Sequence, residues 1–294
     1  MDGSGELDRS AARRLVALVC AAQVLVQIGA FFWPALLPQL APQWGLSNSG
    51  AGWITAAFYG AYMLAVPVLV PLTDRFDPKR IYLIGVGLTI VGHALFGLVA
   101  DGFWSALWCR ALTGVGWAGT YMTGLKLLAD RVDAKMMSRA TAGHAASIGI
   151  SGALSFATAE WLAHLGGWQA AFLAASFSAV VAWLIIALVV PRQVDKPARA
   201  ANGGGLYDFR PVLRNRSAMA YALAYYVHTL EMSAVRGWRV AFLAYVAMST
   251  GNKEAVLSPA VLVTALGLVG TCASLLGNEA AIRMGRRRSY RPRC

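Results

Sequence analysis

No charged side chain and no histidine occurs between Arg14 and Asp74. A stretch of that length without a group that seeks water cannot coat a soluble domain, whose residues are about 25% charged on average. It suits a bilayer, whose hydrocarbon core takes about 20 apolar residues per helix. Leu15 to Thr73 has length for two such helices, joined by the polar, uncharged turn Gly45-Leu46-Ser47-Asn48-Ser49-Gly50. The whole chain agrees: 57% of its 294 residues are hydrophobic, 14% are charged, and the mean hydropathy is +0.54. The expected class is an all-α membrane protein in contact with lipid.

Eight segments are long and apolar enough to span: 15–37, 51–72, 81–100, 103–129, 140–163, 168–190, 218–248 and 256–277. Arg9, Arg13 and Arg14 ahead of the first resemble a signal peptide. The apolar run behind them is too long for one, and reads as a retained first helix. Of the 26 Lys and Arg, 21 lie in the N-terminal tail, the even-numbered loops and the segment after span eight, while the odd loops hold Lys253 alone. That asymmetry puts the N-terminus and the even loops in the cytoplasm, and the expected location is a bacterial inner membrane. The net charge of +12 therefore reflects orientation, and no nucleic-acid partner is expected. Cys20, Cys109, Cys272 and Cys294 have no paired or metal-ligand spacing.

The longest connection, 191–216, contains Pro197, Gly203-Gly204-Gly205 and six bases, the composition of a flexible linker. It divides the chain into a six-helix unit (1–190), a cytoplasmic linker (191–216) and a second unit (217–294). Leu72-Thr73-Asp74-Arg75-Phe76-Asp77-Pro78-Lys79-Arg80 after span two is echoed after span eight by Ile282-Arg283-Met284-Gly285-Arg286-Arg287-Arg288. Such an echo marks a repeat of halves.

The first of these loops resembles the signature Gly-x-Leu-x-Asp-Arg-x-Gly-Arg-Lys of the major facilitator superfamily. Leu72, Asp74, Arg75 and Lys79 match; Val70 and Asp77 replace the glycines, and Pro78 stands where Arg is common. The later copy keeps Arg283, Gly285, Arg286 and Arg287, with Ile282 at the acidic position. Span four carries Arg110-Ala111-Leu112-Thr113-Gly114-Val115-Gly116, similar to the family's Arg-x-x-x-Gly-x-Gly, and Gly167-Trp168 with Phe172 opens span six as is common there. The resemblance implies a secondary transporter of twelve helices in two bundles that rock about a central site. On that reading this chain is truncated after its eighth helix: a six-helix bundle plus two helices of an incomplete second one. It also implies that Asp74, with Arg75, Lys79, Arg283 and Arg286, forms a gating loop, the acid facing helix eleven.

An ionisable group inside the membrane is a functional candidate. Arg110, about 10 Å into span four at 1.5 Å per residue, is suited to an anionic solute or a coupling carboxylate, with snorkelling as the alternative. In span seven, Tyr221, Tyr225 and His228 follow helical spacing and Glu231 lies near the midplane. His228 and Glu231 suit a buried proton relay; the alternative is a static pair of Glu231 with Arg236 or Arg239. Gln23 and Gln27, and Ser147, Ser151 and Ser155, line a polar path or hold helices together. Asp130 and Arg131 are expected to meet Arg75 and Lys79, or else to be solvated. Lys126 and Glu160 are read as interfacial, and the span-four and span-five glycines as sites of close helix contact.

The expected function is transport of a small polar or anionic solute, with proton coupling open and no cofactor, metal or catalytic residue. Rivals are a drug-efflux permease of the same family, a transport-inactive remnant, and an intramembrane serine protease suggested by Gly149-Ile150-Ser151-Gly152 with His93 or His228. No phosphate-binding Gly-x-x-x-x-Gly-Lys-Ser/Thr loop is present.

Overall fold

The computed structural model describes residues 9–192, 209–250 and 257–284. All its elements are helices: α1 (Arg9–Gln27), α2 (Phe32–Gln43), α3 (Asn48–Leu72), α4 (Pro78–Val99), α5 (Phe103–Ala118), α6 (Tyr121–Ala129), α7 (Ala134–Val189), α8 (Arg210–Arg214), α9 (Arg216–Ser249) and α10 (Pro259–Met284). Five stretches are long and apolar enough to cross a membrane: Ser10–Gln43, Asn48–Leu72, Pro78–Val99, Met136–Val189 and Pro259–Gly277. The fourth of these is two spans. Non-helical backbone at Gly166 and Gly167 folds α7 back on itself, and Gly167 sits at φ 80°, where a β-carbon would be strained. Its two arms thus supply spans five and six.

Two expected single spans are each broken. Span one divides into α1 and α2 across residues 28–31, and span four divides into α5 and α6 across Gly119 and Thr120. Broken backbone at membrane depth survives only where protein satisfies the released groups. In span one the cause is Pro34, which has no N–H for the carbonyl of Ala30 four residues back.

The core has two parts. Around the α1–α2 break it is aromatic: Phe96 stacks on Phe172 with centroids 3.9 Å apart, and Trp168 meets Trp44 edge-on at 5.4 Å. At the other end of the bundle, Leu15, Val19, Tyr82, Leu127, Ala179 and Ile186 pack together. The expected glycine contacts are present, though unequally. Gly85 of α4 faces Gly116 and Gly119 backbone to backbone, Gly114 abuts α3, and Gly149 abuts Thr271, whereas Gly143 makes only ordinary contact with Cys20.

The last two helices pack onto the first unit, α9 against α2 and α10 along α7. Thr264 of α10 bridges a turn of α7: its hydroxyl donates to the Ala153 carbonyl at 2.8 Å and accepts from the Ala157 N–H at 3.0 Å. Thr264→Val removes both bonds at nearly constant volume. It is expected to cost about 1 kcal/mol, as interhelical hydrogen bonds in membranes typically do, read as the unfolding midpoint of the purified protein in detergent.

Candidate functional site

The carbonyl that Pro34 leaves without its helical donor is taken by span four. Arg110 Nη2 donates to the Ala30 carbonyl oxygen at 3.0 Å, and the residue is only 2% exposed. The adjacent N–H, that of Phe31, donates to Ser155 Oγ on α7 at 3.0 Å. The gap in the first span is therefore closed by side chains from two other spans.

Arg110 is positioned from below by α3. Its guanidinium carbon lies 4.2 Å from the centre of the Phe58 ring, within range of a cation–π interaction. Phe58 is placed there by the close approach of α3 and α5 at Gly114. Arg110 Nε and Nη1 are buried with no hydrogen-bond partner. Tyr59, next to Phe58, lies near Arg110 and near Arg236 and Ser233 on α9. The Arg236 guanidinium carbon is 5.4 Å from the centre of the Phe31 ring, which stacks on Phe156 at 5.5 Å. The two arginines thus come from opposite sides of the chain, one from the first unit and one from α9.

Gln23 and Gln27 are both buried in α1. Gln23 Oε1 accepts from the Tyr82 hydroxyl at 3.0 Å, while its Nε2 and both polar atoms of Gln27 have no partner. Ser147 and Ser151 donate to carbonyls of their own helix, those of His144 and Ile148. Ser151 has no histidine partner among the described residues, so the geometry of the protease reading does not form. His93 packs in the core against Gly29 and Phe172.

Span seven corrects the sequence reading most. Glu231 and His228 are exposed rather than buried, because α9 buries only Gly237 and Val240. Tyr225 is 61% exposed and lies near Tyr62 and Tyr121. Glu231 has no ion pair with Arg236 or Arg239 among the described residues; Arg236 turns to Phe31 instead. A helix carrying polar groups along its length predicts a lined path, but spacing alone does not say which face the rest of the chain covers.

The loop motifs also pair differently from expectation. Asp74 reaches Lys126 at 3.3 Å across an exposed surface, and Arg75 is exposed. Arg131 pairs with Asp77 at 3.2 Å, their side chains 3% and 1% exposed, and further donates to the carbonyls of Leu127 and Pro191. Lys79 does not join Asp130 or Arg131; its Nζ donates to the carbonyls of Ala187 (2.8 Å) and Val190 at the end of α7, where a cation favours the helix dipole. Asp130 is half-buried. The side chain of Arg283 and all of Arg286 lie outside the described residues. Asp77 was missed as a pairing residue because the signature has glycine there. Its signal was Asp77-Pro78, a capping residue followed by proline at the first helical position, and it does cap α4 by accepting from the Lys79 N–H at 3.0 Å.

A separate cavity of about 340 Å³ opens between α2, α7, α9 and α10, lined by Leu36, Gln39, Glu160, His164, Val240 and Pro259 among others. Glu160 accepts from the Ser258 hydroxyl there, joining α7 to the residue just before α10.

Several helices long and apolar enough to cross a membrane, one of them broken and closed by a buried arginine, define a polytopic membrane protein. The chain belongs to the Major Facilitator Superfamily, whose family model matches residues 19–294. It is 26% identical over 241 residues to protein spinster homolog 1 of Homo sapiens, covering 78% of this chain and 45% of that protein. To the 4-hydroxybenzoate transporter PcaK of Acinetobacter baylyi it is 25% identical over 184 residues, covering 61% of this chain and 39% of that one. The fold matches the POT family transporter PepTSo with a TM-score of 0.53 at 16% identity, over 95% of this chain and 55% of that chain. The chain spans about half the length, or less, of these proteins.

Proposed function

We propose that the protein is a secondary transporter that moves a small anionic or polar solute by alternating access, with its N-terminus on the cytoplasmic side of a bacterial inner membrane. The observation that carries this reading is Arg110, buried at membrane depth and bound to the carbonyl that Pro34 releases in span one. Discontinuous helices meeting at the midplane are where transporters bind solute, and a buried cation there is functional by default. Arg110 belongs to the first unit and Arg236 to the second, so a solute reaching both would draw the units together. Support for an anion comes also from PcaK, which is named for an aromatic carboxylate.

Counterflow tests the reading. Liposomes containing the protein and loaded with unlabelled solute are expected to accumulate labelled solute transiently and saturably. Linear uptake equal to that of empty liposomes, across a panel of organic anions and neutral polar solutes, would refute it.

A further inference from the structure

The polar lining of the cavity between α2, α7, α9 and α10 consists mainly of hydrogen-bond acceptors. Glu160 supplies a carboxylate, and among the described residues neither lysine nor arginine lines the space. Glu160 Oε2 accepts from the Ser258 hydroxyl, which itself accepts from the Val261 N–H at 3.2 Å, so the carboxylate is tied to the first turn of α10. Its Oε1 has no hydrogen bond among the described residues. His164 stands one turn further along α7 on the same helix face and lines the cavity too. A neutral imidazole keeps one nitrogen as an acceptor.

The α2 wall adds further acceptors. Pro38 and Gln39 line the cavity, and α2 carries Pro34, Pro38 and Pro42 at four-residue spacing. Pro38 and Pro42 have no N–H, so the carbonyls of Pro34 and Pro38 lose their usual helical donors. In the same series Arg110 donates to the freed carbonyl of Ala30. Among the described residues no side chain does this for the other two. The remaining walls are apolar: Leu36, Val240, Ala244, Pro259 and Ala260. At about 340 Å³ the cavity has the size of a small-ligand pocket, not of a single ion. An inorganic cation would leave those walls unused, and a neutral apolar molecule would leave the carboxylate oxygen unpaired at a cost.

We infer that this cavity binds an organic ammonium ion, a compact apolar body carrying a protonated amine, and that Glu160 sets the specificity for the cation. The ammonium has only donors to offer, which suits this lining, and its body packs against Leu36 and Val240. The site is separate from Arg110, whose contacts Ala30 and Phe58 do not line the cavity. It therefore goes beyond the transport reading. Its walls come from helices early and late in the chain, so the bound amine favours the arrangement in which they meet.

The test is calorimetric binding of benzylamine, benzyl alcohol and benzoate to the protein in nanodiscs, with the heat of empty nanodiscs subtracted. Benzylamine is expected to bind at least about tenfold more tightly than either of the others, as a close charge pair allows. Glu160→Gln is expected to lower benzylamine affinity about tenfold and to erase the preference over benzyl alcohol. Ala244→Phe fills the cavity and leaves every acceptor in place; it is expected to lose binding of both, and it decides the matter should Glu160→Gln fail to fold. Benzyl alcohol or benzoate binding as tightly as benzylamine, an unchanged preference in Glu160→Gln, undiminished binding by Ala244→Phe, or no binding of benzylamine would overturn the inference. None of these readouts uses transport. Counterflow without benzylamine binding would leave transport standing, and charge-selective benzylamine binding without counterflow would leave only the site.

Discussion

Replacing Arg131 by Met is expected to destabilise the protein by about 3–5 kcal/mol, the cost of stranding one member of a buried ion pair. The group that loses this ion-pair partner is Asp77, whose side chain is 1% exposed and which keeps the Lys79 N–H. Arg131 also donates to the carbonyls of Leu127 and Pro191, so the variant loses the tie between the end of α6, the start of α4 and the chain leaving α7. The measurement is the unfolding midpoint of the purified protein in detergent. Asp77→Asn combined with Arg131→Met removes both charges and is expected to recover most of the loss, since an absent pair costs far less than a broken one. A single variant as stable as the parent would show that water reaches this pair.

Gly114→Val is expected to cost at least about 3 kcal/mol, at the upper end for overpacking a close contact. A β-carbon at this position would lie 2.1 Å from the backbone oxygen of Phe58, and backbone cannot rotate aside as a side chain can. Relief requires α3 and α5 to separate, which would carry the Phe58 ring away from Arg110. Gly60→Ala is the control, because a β-carbon there meets nothing within 4 Å. Removing a helical glycine at such an open position is expected to be neutral or to stabilise by up to about 1 kcal/mol. Equal behaviour of the two variants would mean that the α3–α5 approach is not tight.

The helices were legible because membrane depth, the 3.6-residue turn and the charge-free run impose a length on each segment. Helix covers most of all eight expected spans, and six of them fall largely within the stretches long and apolar enough to cross a membrane, spans four and seven being the exceptions. The breaks were not read, although Pro34 and Gly119 were in plain view. A proline three residues inside a helix and a proline that ends one look alike until the partner of the freed carbonyl is known, and that partner, Arg110, lies 80 residues away. Arg110 itself was found because charge in hydrocarbon is rare. Phe58, Tyr59 and Arg236 were not placed with it: rings are ordinary in membrane helices, Arg236 was read only as a partner for Glu231, and only the close approach at Gly114 brings Phe58 to Arg110. Glu231 shows the reverse error: its place along the helix was legible, its face was not.

The most direct measurement is counterflow by Arg110→Gln beside the parent, at matched amounts of inserted protein. The glutamine can still donate a hydrogen bond toward the Ala30 carbonyl but carries no charge. Saturable exchange is expected in the parent and a fall of about 100-fold or more in the variant, the loss that follows when a site built for a charged partner cannot pair with it. Equal exchange by both proteins would show that the buried arginine holds the broken helix together and takes no part in the solute's path.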